Sequence, residues 1–303
     1  MTIRLCINFP MRAVKHFPRW IGAHSFADVG RCVEERGFDG IAVSEHPLPD
    51  RAWLADGGHH AFDPFVALAS WGAVTRRITL LTAIAVSGYR HPYITAKTAS
   101  TLDVATGGRL VLGLGAGYLR SEFEVLGADF ERRGALFDEA ISAMRASWRG
   151  DDFDGPTYPS HGHESLPRTT SPDGPPIWVG GNSRAARRRA VDLADGWTPI
   201  AQDDAMAAIT RTPPLSDVGT LSAQIDEVQE ARRDKGKPAA EIAFTPFEKE
   251  TLREGAAEFG SVLKRRMSAY EDAGVSWLVI EPRSRDLDDF DADLARMAEA
   301  LGR

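Results

Sequence analysis

One junction recurs along this chain: a helical stretch, a glycine, then a short apolar run. Around Glu34-Glu35-Arg36-Gly37-Phe38-Asp39-Gly40, the apolar residues Phe26, Val29 and Val33 fall three and four apart, as one buried helix face requires. Ser25 predicts the N-cap, and Gly37 suits the left-handed position just past a helix end. An extended run follows at 40–44. The same grammar returns at 191–200 and 270–282, and further apolar runs lie at 5–9, 78–83, 109–114, 177–179 and 242–245. Strands this apolar, separated by amphipathic helices, imply parallel pairing with both faces covered. Eight such units in 303 residues predict an α/β fold, a TIM (β/α)8 barrel with loop insertions at its C-terminal face. An open doubly wound sheet would carry G-x-G-x-x-G after the first strand, where Phe9-Pro10-Met11-Arg12 stands instead.

Residues 1–303 therefore read as a single domain, with irregular insertions at about 48–62, 150–176 and 201–216. The net charge of -7 argues against a nucleic-acid partner, which requires a concentrated basic face. The run Arg187-Arg188-Arg189 reads as a solvated helix face. No stretch approaches the ~18 consecutive apolar residues that would span a membrane, and the N-terminus lacks the apolar core of a signal peptide. Cys6 and Cys32 read as buried reduced thiols, so a cytoplasmic protein is expected.

Barrel chemistry sits where strands end at their C-termini. There the chain offers Ser44-Glu45-His46-Pro47, Tyr89-Arg90-His91-Pro92, the run from Gly107 to Tyr118, Gly180-Gly181-Asn182-Ser183, and Asp195-Gly196-Trp197. His46 can give or take a proton near neutral pH, and can equally be a loop residue closing the strand end. Glu45 can orient His46 or form a structural ion pair. Gly113, Gly115 and Gly117 lack the spacing of a nucleotide fingerprint, and read better as room for a flat ring against the backbone around Gly115, Ala116 and Gly117. Gly180, Gly181, Asn182 and Ser183 open a helix whose free N–H groups suit a phosphate, with Arg184 beside them; an ordinary turn capped by Asn182 or Ser183 is the plain alternative. His161-Gly162-His163 has the spacing of a metal-dependent hydrolase but lies in an irregular segment, and His59-His60 are adjacent in a glycine-rich loop, so no metal site is expected. Trp53 is a candidate wall of a substrate pocket.

In order and spacing, these strand-end motifs resemble the luciferase-like monooxygenase superfamily, in particular its actinobacterial branch dependent on coenzyme F-420. The resemblance implies a TIM barrel with a flavin or deazaflavin ring at its C-terminal mouth. It implies that His46 stands beside the ring as acid/base, with Glu45 and Tyr118 lining the site. It further implies that Ala83, Ile84, Arg90 and His91 support the ring, with a backbone bulge or a non-prolyl cis peptide near 83–85. Tyr118 stands where the family's sugar-phosphate dehydrogenases have a proton-donating glutamate; Glu122 is the nearest acid. Asp50 stands where they have a tryptophan. Both departures argue against a glucose phosphate as substrate. The expected function is hydride transfer between coenzyme F-420 and a small organic molecule. The alternative is an FMN-dependent monooxygenase that uses oxygen and a flavin reductase partner. A metal-dependent hydrolase and a non-catalytic cofactor-binding barrel are more distant readings. A homodimer fits the family's habit.

Overall fold

The computed structural model describes residues 2–20 and 25–303. Its strands are β1 (Arg4–Asn8), β2 (Gly40–Val43), β3 (Thr79–Thr82), β4 (Ala85–Val86), β5 (Leu110–Gly115), β6 (Ile177–Gly180), β7 (Gly196–Thr198), β8 (Glu241–Phe244) and β9 (Trp277–Ile280). All pairings between them are parallel, β1 lies between β2 and β9, and β3 pairs with β5 through Leu80–Leu110 and Leu81–Val111, which closes the sheet. β3 and β4 are two parts of one barrel strand interrupted at Ala83-Ile84, whose peptide bond is cis. The result is an eight-stranded parallel barrel of the TIM type, as the helix–glycine–strand rhythm predicts.

Each barrel strand feeds one long helix on the outside: Asp28–Glu35, Pro64–Val74, Pro92–Thr106, Arg133–Arg149, Arg184–Asp192, Val218–Asp234, Ala256–Asp272 and Leu287–Leu301. The start signals are local. Asp63 accepts hydrogen bonds from the backbone N–H groups of Phe65 and Val66 (both 3.0 Å) ahead of Pro64, and Asp217 accepts one from Thr220 (2.8 Å). Gly37 adopts φ +80°, as a residue just beyond a helix must when the chain turns back at once. Ser25 is not the N-cap: the first long helix begins at Asp28, and the Ser25 N–H and hydroxyl both donate to the Asp28 carboxylate (2.6 and 3.2 Å). The segment 201–216 is not wholly a loop, since Asp203 caps a two-turn helix, Asp204–Thr210. Asp50 likewise caps a short helix, Arg51–Ala55, inside 48–62, while 150–176 has neither helix nor strand.

Alternate strand residues face in and out. Outward residues such as Ile41, Leu112, Val179 and Leu278 pack under the helices in one continuous apolar layer. Inward residues Cys6, Ala42, Leu81, Val111, Ala243 and Val279 surround Trp178 and Trp277, whose rings meet at 5.8 Å. Glycines make that space. A Cβ on Gly196 would strike the Trp178 ring, and one on Gly40 would lie 3.2–3.3 Å from Cys6 Sγ and the Trp277 ring. Below, Arg4 lies over Trp277 (4.2 Å) and pairs with Glu241 (2.5 Å), which seals the bottom.

Gly113 has a different reason to be glycine: a Cβ there would run into the Thr82 carbonyl oxygen, where β3 gives way to Ala83-Ile84. Since backbone cannot yield as a side-chain tip can, Gly113→Ala is expected to cost about 1–3 kcal/mol of stability, read as a lower urea midpoint at unchanged slope.

Candidate active site

The C-terminal mouth is built from chain just past the strands. Glu45 and His46 follow β2 and are both buried (2% and 8% exposed), although they are adjacent and point to different partners. Glu45 accepts a hydrogen bond from the Val86 N–H (2.7 Å) and pairs with Arg90, which also reaches Asp63 (2.6 Å). Burial pushes the Glu45 carboxyl up and Arg90 pulls it back. The Glu45–Arg90 pair thus fastens the end of β2 to β4; Glu45 makes no hydrogen bond to His46.

The group that holds His46 is Glu122. His46 Nδ1 lies 2.9 Å from Glu122 Oε2, and the carboxylate is fully enclosed. It also accepts from the Tyr89 hydroxyl (2.9 Å) and the Leu48 N–H (3.1 Å). A carboxylate at Nδ1 keeps the proton there and leaves the Nε2 lone pair facing the mouth. Nε2 is 3.4 Å from the Tyr118 hydroxyl. Burial and the nearby Glu122 push the Tyr118 phenol up to about 12, so it remains a donor at neutral pH. Trp53 packs on the His46 ring (4.6 Å) and His59 meets it edge-on (4.8 Å). Burial, with the nearby His46 adding to it, lowers His59 to about 4, so its ring is neutral at pH 7.

A second feature lies where the third barrel strand is interrupted. Ile84 and Ala83 are only partly covered, and Ile84 leans on three glycines: a Cβ on Gly113, Gly115 or Gly180 would each come within about 3.0 Å of it. The outcome is a flat aliphatic step floored by bare backbone. Gly117, at φ +80°, turns the chain away beside Phe123 and Val86, with Ala116 between the two glycines. His91 caps the helix Pro92–Thr106, accepting from the Tyr93 N–H (3.3 Å), and is exposed.

At the far edge, Gly181 (φ +109°) precedes the helix Arg184–Asp192. Ser183 caps it, accepting from the Ala186 N–H (3.1 Å). Asn182 is committed inside the protein: its N–H donates to Thr212 Oγ1 (2.8 Å), its amide to the Ile200 and Pro213 carbonyls (2.9 and 2.8 Å), and its Oδ1 accepts from the Ile200 N–H (2.8 Å). The Gly181 backbone is committed as well, its N–H to the Thr198 carbonyl (3.1 Å) and its own carbonyl to the Trp197 indole N–H (2.8 Å), which leaves the first helical turn to face a ligand. Two buried polar atoms at strand ends, Asn8 Oδ1 and Thr198 Oγ1, have no hydrogen-bond partner among the described residues. A bare-backbone step, orphaned polar atoms and a helix end in one mouth fit a planar ring carrying a phosphate.

The chain belongs to the luciferase-like monooxygenase family. The family's sequence model matches residues 15–301. Two relatives are called F420-dependent glucose-6-phosphate dehydrogenase: one from Microbacterium testaceum, 30% identical over 72% of this chain and 65% of that protein, and one from Rhodococcus erythropolis, 25% identical over 93% and 95%. A solved F420-dependent secondary alcohol dehydrogenase, in complex with an F420-acetone adduct, superposes with a TM-score of 0.75 over 99% of both chains at 17% identity, which speaks for the fold.

Reading the sequence alone singles out His46, Tyr118, Ile84 and the glycines, names Glu122 only as the acid nearest Tyr118 and His59 only as half of a discounted metal pair, and passes over Glu281. Glu122 lies four residues after Tyr118, in the first turn of the helix Arg120–Val125. His59 gave no signal, because only the loop's path brings it to His46. Among the described residues no group of three or more His, Cys, Asp or Glu gathers as metal ligands, and His161 bonds instead to Asp154 (3.2 Å) within the irregular segment.

Glu281, just past β9, accepts from the Met11 N–H (3.1 Å) and Asn8 Nδ2 (3.4 Å), yet burial pushes it up to about 7 from its ordinary 4.5. A raised native value means the folded state holds the proton more tightly. Its contribution is complete below pH 4.5 and is lost as pH rises through about 7. The unfolding midpoint of Glu281→Gln should lack this decline, which comparing both proteins at pH 5 and pH 8 would show; parallel curves would refute it.

Proposed function

We propose that the protein is a coenzyme F-420-dependent oxidoreductase that moves a hydride between the deazaflavin and a small alcohol or its carbonyl counterpart. The observation that carries this reading is the setting of His46: Nδ1 is fixed by the enclosed Glu122, and Nε2 lies 3.4 Å from the Tyr118 hydroxyl. The two relatives' names and the family add support.

The cofactor, when bound, supplies the hydride acceptor or donor. The ring would lie on Ile84, Ala83 and the backbone of Gly115–Gly117, with its phosphate at the first turn of Arg184–Asp192. His46 Nε2 accepts the substrate hydroxyl proton as the carbon gives up hydride. The resulting imidazolium is balanced by Glu122 at Nδ1, which accepts that N–H without having to move. Tyr118 donates a hydrogen bond toward the same oxygen. In the reducing direction His46 returns the proton. Trp53 and His59 wall the pocket with aromatic surface, and Glu45 acts at a distance through Arg90 and Val86. The substrate is small and largely apolar, since the walls over His46 are ring faces and Tyr118 and Asp50 replace the residues of the sugar-phosphate dehydrogenases. Two unpaired thiols, Cys6 and Cys32, fit a reducing compartment such as the cytoplasm.

Fluorescence titrations with F-420 and with FMN under identical conditions test the assignment. Tighter binding of F-420, with turnover of short secondary alcohols, is expected. Preference for FMN would move the chemistry to oxygen and a reductase partner. His46→Ala should lower kcat about 10²–10⁴-fold with cofactor affinity kept, and unchanged turnover would remove His46 from the mechanism.

A further inference from the structure

Two acids flank His46, and one short stretch of chain handles both. Ser87–Tyr89 is one turn of 3-10 helix just past β4, and Arg90 follows it. Arg90 pairs with Glu45, the sequence neighbour of His46, and with Asp63. Tyr89, one residue earlier, donates its hydroxyl to Glu122 Oε2 (2.9 Å), the same oxygen that meets His46 Nδ1 (2.9 Å). The other oxygen, Oε1, accepts from the Leu48 N–H (3.1 Å). Both oxygens of an enclosed carboxylate are therefore tied, one of them twice. Held at both ends, the carboxylate is kept from swinging about its terminal bond and stays aimed at Nδ1.

The Tyr89 ring is itself wedged in place. It meets Phe123 edge-on at 5.0 Å, and Phe123 is fully buried next to Glu122 on the helix Arg120–Val125. The wedge requires Gly88, since a Cβ there would come within 2.8 Å of the Phe123 ring. Burial, with the Glu122 carboxylate adding to it, pushes the Tyr89 phenol far up, so it stays a donor at neutral pH. We infer that Tyr89 is a positioning residue for the proton step: its hydroxyl holds Glu122 on Nδ1 of His46, so that Nε2 is the nitrogen that takes or gives the substrate proton. Arg90 serves the same end by holding Glu45 beside the Val86 N–H, so that one acid and not two meets the imidazole. A hydrogen bond to a carboxylate is worth more than one between neutral groups, and an enclosed carboxylate that loses a donor recovers none from solvent. The consequence for rate rests on the oxidoreductase reading above; the contacts themselves do not depend on which cofactor is bound.

Tyr89→Phe tests the inference, because it removes the hydroxyl and keeps the ring against Phe123. With F-420 and a short secondary alcohol, kcat should fall about tenfold, while KM for the alcohol and the affinity for F-420 stay within about twofold. In a Glu122→Gln background, already slowed, the same change should cost less than about twofold, because the carboxylate through which Tyr89 acts is gone. Proton NMR reads the contact without cofactor or turnover. The His46 Nδ1–H resonance, assigned by its loss in His46→Ala, should be sharp and downfield in the wild type and broadened by exchange in Tyr89→Phe. An unchanged kcat, an equal cost in both backgrounds, or a His46 resonance that Tyr89→Phe leaves as it was would overturn the positioning role. A wild type that binds FMN and not F-420 would remove the cofactor assignment instead, and the NMR comparison would still decide for or against Tyr89.

Discussion

Closure of the barrel over two tryptophans is the constraint from which the rest follows. Eight short parallel strands are stable only if both faces are covered, and the inner face has no helix to cover it. Trp178 and Trp277 fill that space, and they fit because Gly40 and Gly196 give up their side chains opposite them. A packed interior also forces ligands to the rim, so function is carried by the strand ends and the loops they launch.

At the rim the same economy of side chains makes the step beneath the proposed ring. Ile84 rests on Gly113, Gly115 and Gly180, from two different strands, so its position depends on the register that pairs β5 with β6. His46 is equally dependent. Its own strand delivers it to the mouth, but its tautomer is decided by Glu122 on a helix after β5, and Glu122 is held in turn by Tyr89 from the end of the third barrel strand. Three βα units therefore converge on one imidazole. The rim repeats the pattern, since Arg211 just past one helix and Arg133 at the start of another meet over the ring of Phe130.

The barrel was legible because periodicity and helix-end glycines are local signals: the apolar runs at 40–44 and 177–179 match β2 and β6 within one residue. The short helices in the insertions were missed where polar composition masked sound capping, as at Asp203 before Asp204–Thr210. Among the candidate site residues, His46 and Gly181 are those the strand-end rule points at, whereas Ile84 came only from the family resemblance. Glu45 and Glu122 show the rule's limit. Both are acids next to the mouth in sequence, and only the direction of each side chain separates a fastening ion pair with Arg90 from the partner of His46.

The sequence by itself determined the alternation of strand and helix, the glycines that break it, and the strand ends available for chemistry, because each depends on neighbours a few residues away. Which acid meets His46, whether Asn182 faces a ligand or is consumed by Ile200 and Pro213, and where three arginines share one ring were decided by the tertiary structure. The longest of those contacts, His46 to Glu122 and Arg211 to Phe130, join residues 76 and 81 positions apart. Closure brings them together, and no pattern along the chain encodes the angle at which two loops meet.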